Sequence, residues 1–275
     1  MTDIMRGRRG LIMGVANDHS IAWGIAQKLY QHGAELAFTY QGEAFGRRVK
    51  PLAAKLASDL VFPCDVEDVA TVKEVFAGLE KAWGTIDFLV HAIAYSDKSE
   101  LKGAYAATTR ENFTRTMIIS CFSFTEVAAR AASLMRSGGA MLTLTYGGSS
   151  RVMPNYNVMG VAKAALEASV RYLAADFGPK GIRVNAISAG PMRTLAGSGI
   201  GDARVMFNFQ KRHSPLRRTV TLDDVGGAGL YLLSPLSAGV TGEIHYVDSG
   251  YNIISTPRPE DLKGGDVDDL PEAAQ

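Results

Sequence analysis

Cysteine is scarce in this sequence: Cys64 and Cys121 are the only two in 275 residues. That excludes a disulfide framework and a thiolate zinc centre, and it fits a reducing compartment. Histidine is equally thin, with five residues scattered at 19, 32, 91, 213 and 245, no pair four apart and no HExxH. No metal site is therefore expected. An excess of one charge is missing too, because 29 Lys plus Arg face 28 Asp plus Glu; there is no global basic bias of the kind that binds nucleic acid. The opening MTDIMRGRRG leads into an apolar strand of about five residues, far short of a secretory apolar region or a ~20-residue span. Neither a targeting segment nor a membrane span is expected, and the chain reads as cytoplasmic.

What is present is an ordinary globular composition, 47% hydrophobic and 21% charged, long enough for one hydrophobic core. Seven short apolar runs recur: GLIMGVA (10–16), AELAFTY (34–40), LVFPCDV (60–66), IDFLVHAI (86–93), AMLTLTY (140–146), IRVNAISAG (182–190) and EIHYVDSG (243–250). Helical stretches of 12 or more residues separate most of them, including a long segment over 109–136. Continuously apolar strands joined through helices indicate βαβ crossovers. The expected fold is α/β, a Rossmann-type, doubly wound, seven-stranded parallel sheet with helices on both faces, in one domain over 1–256. The segment 257–275 carries six acidic residues against two basic and few large apolar ones, and it reads as a mobile acidic tail.

In such a sheet ligands sit outside the carboxyl ends of the strands. The first strand runs into Gly14, then a polar turn, then a helix that Ser20 is expected to cap, with Gly24 four residues on. A helix start offers unpaired N–H groups and a positive dipole end, which suits a dinucleotide pyrophosphate. The third strand ends on Asp65-Val66, a carboxylate that could accept from an adenine amino group and a valine that could cover the ring. The second ends at Gln41, where an NAD enzyme usually carries an acid for the ribose hydroxyls.

The segment NYNVMGVAK (155–163) reads as the start of an Ala-rich helix. Seven residues at ~100° each put Tyr156 and Lys163 on one face, about 10.5 Å apart along the axis, and the lysine stem leans back toward the tyrosine. With ordinary pKa values near 10 and 10.4, the pair is a neutral O–H donor beside a cation at neutral pH.

Together with GVANDHSIAWG, HAIAYSDKSELKG, LTLTYGGSSRVMPNYNVMGVAKAALEASVRYLA, RVNAISAGPMRTLA and HYVDSGYNI, this Tyr-x6-Lys element resembles the NADH-dependent enoyl-acyl-carrier-protein reductases of bacterial type II fatty-acid synthesis. These form a branch of the short-chain dehydrogenase/reductase superfamily, and the likeness runs from about residue 8 to 252. It implies reduction of the 2,3 double bond of an enoyl thioester carried on acyl-carrier protein, with NADH as cofactor, by a homotetramer. It implies catalytic roles for Tyr146, Tyr156 and Lys163. It also implies dinucleotide contacts from Gly14, Ser20, Ile21, Gln41, Asp65, Val66, Ile93, Lys163, Met192, Arg193, Thr194, Leu195 and Ala196. Ser96, with Asp97, stands where relatives carry Ala-Pro beside the thioester, and Gly147-Gly148 follow Tyr146 where a larger residue is common. The segment 191–213, rich in small residues and then in Met206, Phe207 and Phe209, reads as a lid over cofactor and acyl chain.

Two other functions compete. A ketone reductase or alcohol dehydrogenase of the same superfamily would use a serine thirteen residues before the tyrosine; here that residue is Thr143, and His91-Ala92-Ile93-Ala94 replaces an Asn-Ala-Gly turn. A catalytically silent NADH-sensing domain would bind the cofactor and consume none.

Overall fold

The computed structural model describes residues 3–192, 203–256 and 258, except the side chains of 203–206. The expected tail 257–275 therefore lies outside the described residues, residue 258 apart. Seven strands form one sheet: β1 (Arg9–Met13), β2 (Glu35–Tyr40), β3 (Val61–Pro63), β4 (Phe88–His91), β5 (Gly139–Thr145), β6 (Ile182–Ala189) and β7 (Ile244–Val247). Their order is β3-β2-β1-β4-β5-β6-β7, and every pair is parallel. The helices are α1 (Ile21–Gln31), α2 (Gly42–Lys55), α3 (Val69–Trp83), α4 (Arg110–Met117), α5 (Ser123–Leu134), α6 (Asn157–Phe177), α7 (Ala203–His213) and α8 (Leu222–Leu233).

Both faces of the sheet are covered, which is why its strands read as unbroken apolar runs. Ile12, Phe38, Phe88, Val90 and Leu142 pack with Ile25 and Leu29 of α1, Leu52 of α2 and Val225 of α8. Their alternates Leu11, Met13, Leu89 and Met141 join Val72 and Leu79 of α3, Phe124 of α5, and Leu166 and Val170 of α6 on the opposite face. The period-2 alternation of side chains along each strand divides the core into these two layers.

Three local features depart from the sequence reading. The third strand is only three residues long, because Pro63 has no N–H to give the ladder and lies on an edge strand. The last strand stops at Val247, where the Asp248 carboxylate turns to accept from the N–H groups of Gly250 (2.9 Å) and Asn252 (2.7 Å). The long helical segment is interrupted by a π turn over Ile118–Phe122 between α4 and α5. That turn aims Ser120 at the strand β4 exit, where its hydroxyl accepts from the Tyr95 N–H and donates to the Tyr95 carbonyl, each at 2.9 Å. The run Arg110–Leu134 is long and apolar enough to cross a membrane by length and composition, yet half of its most apolar window is buried inside the fold, as in a core helix.

Gly24 serves packing. A Cβ there would lie 2.9 Å from the Leu222 carbonyl oxygen, and one on Gly226 would lie 2.7 Å from the Gly24 carbonyl. The two glycines let α1 and α8 cross closely and so fix the angle at which the α1 N-terminus meets the end of β1.

Candidate active site

The strand order reverses between β1 and β4, and a crevice opens there at the carboxyl ends. Gly14 leaves β1 with φ of +98°, and a Cβ would sit 2.1 Å from the Ala92 carbonyl oxygen beyond β4. Only glycine provides both that conformation and that clearance. Ser20 stands at the N-cap of α1 but does not cap it. Its hydroxyl oxygen instead accepts from the N–H groups of Ala16 (3.0 Å) and Asn17 (3.1 Å). The serine closes the 16–20 loop on itself, because the loop amides lie nearer than those of the helix. The Trp23 and Gly24 N–H groups donate to the Ser20 carbonyl at 3.0 and 3.2 Å, which leaves the Ile21 and Ala22 amides at the crevice end with the positive dipole.

The ends of β2 and β3 are joined directly. Gln41 donates to the Asp65 carboxylate at 2.9 Å, and the same carboxylate accepts from the Glu67 N–H at 2.9 Å. Val66 is buried beside it, and Ile93 is half-buried past β4. A glycine cradle, a free helix N-terminus and an oriented carboxylate form a donor and acceptor set that fits a dinucleotide. Met192 is buried at the end of the β6 loop; Arg193, Thr194, Leu195 and Ala196 lie outside the described residues.

Tyr146, Tyr156 and Lys163 lie along the seam between β5 and α6. Tyr156 is the N-cap of α6, one residue before the first turn, and it is flanked by Asn155 and Asn157, both at positive φ. Asparagine tolerates that conformation better than other side chains. The Tyr156 ring is buried among Leu101, Val158 and Met159 and meets the Tyr146 ring edge-on, with centroids 5.2 Å apart. Lys163, two turns along α6, is 6% exposed, and its Nζ donates to the Leu144 carbonyl at 2.8 Å.

Burial raises Tyr156 far above the ordinary phenol range, reinforced by Tyr146 and Glu167. Burial likewise pushes Tyr146 up to about 12, with Tyr251 and Asp248 adding to it. Both phenols are thus proton-bearing donors at neutral pH. Burial lowers Lys163 to about 8, opposed by Cys121 and Glu167. His91 lies behind the site, wholly buried, with Nε2 2.9 Å from the Ser123 hydroxyl; burial and then Lys163 drop it to about 3, so it is a neutral core residue.

Ser96 is buried at the root of the loop after β4. Its hydroxyl donates to Asn112 Oδ1 (3.3 Å) and accepts from Thr116 (2.9 Å), so it faces α4. Two further roles escaped the sequence reading. Asn157 donates to the Glu100 and Gly103 carbonyls, both at 3.2 Å, tying the loop after β4 to the start of α6. Gly148 seats the tyrosine: a Cβ there would lie 2.5 Å from Cδ1 of the Tyr156 ring, whereas a Cβ on Gly147 meets nothing within 4 Å. The paired asparagines around Tyr156 were the one visible signal of an unusual backbone.

The fold and this seam define a reductase of the short-chain dehydrogenase/reductase class. Residues 14–252 match the family described as enoyl-(acyl carrier protein) reductase. The chain is 71% identical over 268 residues to enoyl-[acyl-carrier-protein] reductase [NADH] 2 of Rhizobium meliloti strain 1021, covering 98% of this chain and 100% of that one. It is 50% identical over 250 residues to the NADH enzyme of that name from Escherichia coli K12, covering 90% and 95% respectively. The crystal structure of the enoyl-acyl-carrier-protein reductase of Anaplasma phagocytophilum in complex with NAD superposes with a TM-score of 0.91 at 55% identity, covering 94% of this chain and 98% of that one. The chain belongs to the enoyl-acyl-carrier-protein reductase family.

The contrast between the neighbouring glycines gives a direct test of the tyrosine seat. Gly148→Ala is expected to displace the Tyr156 ring and lower steady-state oxidation of NADH by an enoyl thioester about 10–100-fold, the scale of an ångström-sized misplacement. Gly147→Ala is expected to leave it near the wild-type rate. Equal effects of the two would show that the seat does not position Tyr156.

Proposed function

We propose that this chain reduces the 2,3 double bond of trans-2-enoyl-acyl-carrier-protein thioesters in the elongation cycle of fatty-acid biosynthesis, with NADH as reductant. The observation that carries this reading is a buried, protonated phenol, Tyr156, set edge-on against Tyr146 at the carboxyl edge of the sheet, with a buried lysine two turns along the same helix. NADH, when bound, supplies the hydride that adds to the β-carbon of the substrate. Negative charge then builds on the thioester oxygen as an enolate, the Tyr156 O–H donates a hydrogen bond to that oxygen, and a proton taken up at the α-carbon completes the reduction. A donor aimed where charge develops stabilises the charged state more than the ground state. Lys163 exchanges its Leu144 carbonyl for the nicotinamide ribose hydroxyls and holds the ring in register. Gly14, Ser20 and Ile21 receive the pyrophosphate end, Gln41, Asp65 and Val66 the adenosine end. Ile93 and the segment Met192 to Ala196 flank the nicotinamide. Tyr146 packs the phenol in place, and Ser96 shapes the base of the acyl-facing loop.

Ketone reduction is disfavoured by Thr143. The hydroxyl that would take the serine's role is 1% exposed and donates to the His91 carbonyl at 3.1 Å, so it has no proton to offer a substrate oxygen.

The cytoplasm is the compartment this reading assigns. A homotetramer accords with the apolar side chains that α6 and the neighbouring π turn leave at the surface, among them Tyr172, Ile118 and Phe122. Light scattering should give about four times 29.4 kDa; a monomer at micromolar concentration would exclude the tetramer. The segment 191–213 is assigned as a lid; its residues 193–202 lie outside the described ones, and near its end Gln210 of α7 donates to the Asp248 carbonyl at 3.0 Å. Cofactor plus a substrate analogue is expected to protect this segment from protease, and unchanged cleavage would count against closure.

The roles of the two central residues separate in kinetics. Tyr156→Phe should cost about 10²–10³ in turnover with NADH affinity nearly unchanged, while Lys163→Ala should weaken NADH binding itself. Identical profiles would refute the division, and a wild-type protein that binds NADH and reduces no enoyl thioester would refute the activity.

A further inference from the structure

Lys163 is surrounded by groups that are nearly all neutral. From the π turn comes Cys121, a thiol that burial raises and that lies 3.7 Å from the Ser169 hydroxyl. From β4 comes His91, uncharged at neutral pH. From α6 comes Glu167. Cys121 and then Glu167 favour the protonated lysine; Cys121 is a thiol that burial raises, and Glu167 is the carboxylate among these groups.

Glu167 follows Lys163 by four residues, so it stands one turn further on the same side of α6. Its Oε1 accepts from the Thr145 hydroxyl at 2.6 Å. Thr145 directly follows Leu144, whose carbonyl receives the Lys163 Nζ. Two successive residues of β5 therefore grip two side chains of α6 one turn apart, a lysine and a glutamate.

We propose that Glu167 is a positioning residue that, clamped by Thr145, supplies the negative charge holding Lys163 as an ammonium ion ready for the nicotinamide ribose. The inference rests on the cofactor role assigned to Lys163 above and extends it to a residue that touches neither cofactor nor substrate. The charged lysine exists below its pKa, so affinity that depends on it is present at low pH and is lost as pH rises through that value. Removing the carboxylate must move that loss to lower pH.

The test is the pH dependence of NADH affinity, followed by cofactor fluorescence on the full chain without substrate, for wild type, Glu167→Gln and Lys163→Met. Glutamine keeps an acceptor for Thr145 and removes the charge. The expected result is an alkaline fall in affinity that begins about one pH unit lower in Glu167→Gln, with the acid plateau within about twofold of wild type and the fall absent in Lys163→Met. Superimposable wild-type and Glu167→Gln profiles would overturn the proposal. So would an equal weakening at every pH, the signature of a mere helix-to-strand staple, or an alkaline fall that persists in Lys163→Met. Because the readout is binding, failure of enoyl turnover would refute the proposed activity and leave this result standing.

Discussion

A cation kept out of water at the seam of β5 and α6 is the constraint on which the site depends. Desolvating an ammonium group costs several kcal/mol unless hydrogen bonds and charge offset it. Lys163 recovers part of that from a single carbonyl, Leu144, and is lowered to about 8 by its burial. A lysine so held keeps its hydrogen-bonding capacity for a partner that arrives. The same desolvation acts in the opposite sense on Tyr156, because it penalises the phenolate. Burial at the carboxyl edge thus keeps the proton on Tyr156 and lowers Lys163 two turns along the same helix.

The sheet decides where this happens. Parallel strands send all their carboxyl ends to one edge, and the reversal of order between β1 and β4 opens the crevice there. Gly14, the N-terminus of α1 and the Gln41–Asp65 pair occupy one half of that edge, and the β5–α6 seam occupies the other. The glycines set the tolerances: Gly24 and Gly226 bring α1 against α8, and Gly148 admits the Tyr156 ring. The π turn between α4 and α5 performs a similar service by presenting Ser120 to the Tyr95 backbone, fixing the loop that leaves β4.

Much of this was legible in the sequence, and the gaps have physical causes. The strands announced themselves because burial on both faces makes them uniformly apolar, and Tyr156 and Lys163 are marked by their spacing. Ser20 was misjudged in detail because a capping serine and a loop-closing serine have the same sequence context; only the position of the Ala16 and Asn17 amides decides between them. The π turn adds one residue to a helical register without changing composition, so periodicity does not reveal it. Tyr156 was read as helical, yet it lies just outside α6, since two positive-φ asparagines delay the helix. Gly148 and Glu167 acquire meaning from what they face across the chain, the ring of Tyr156 and the hydroxyl of Thr145, and no local pattern encodes either contact.

The central claim is that the Tyr156 hydroxyl meets the oxygen that becomes anionic. A crystal structure of the chain with the oxidised dinucleotide and an unreactive enoyl thioester analogue tests it most directly. The phenol oxygen is expected within about 2.5–3.0 Å of the thioester oxygen, with Lys163 moved from the Leu144 carbonyl to the ribose hydroxyls. A ternary complex in which the phenol points away from the thioester while Lys163 stays on Leu144 would contradict it.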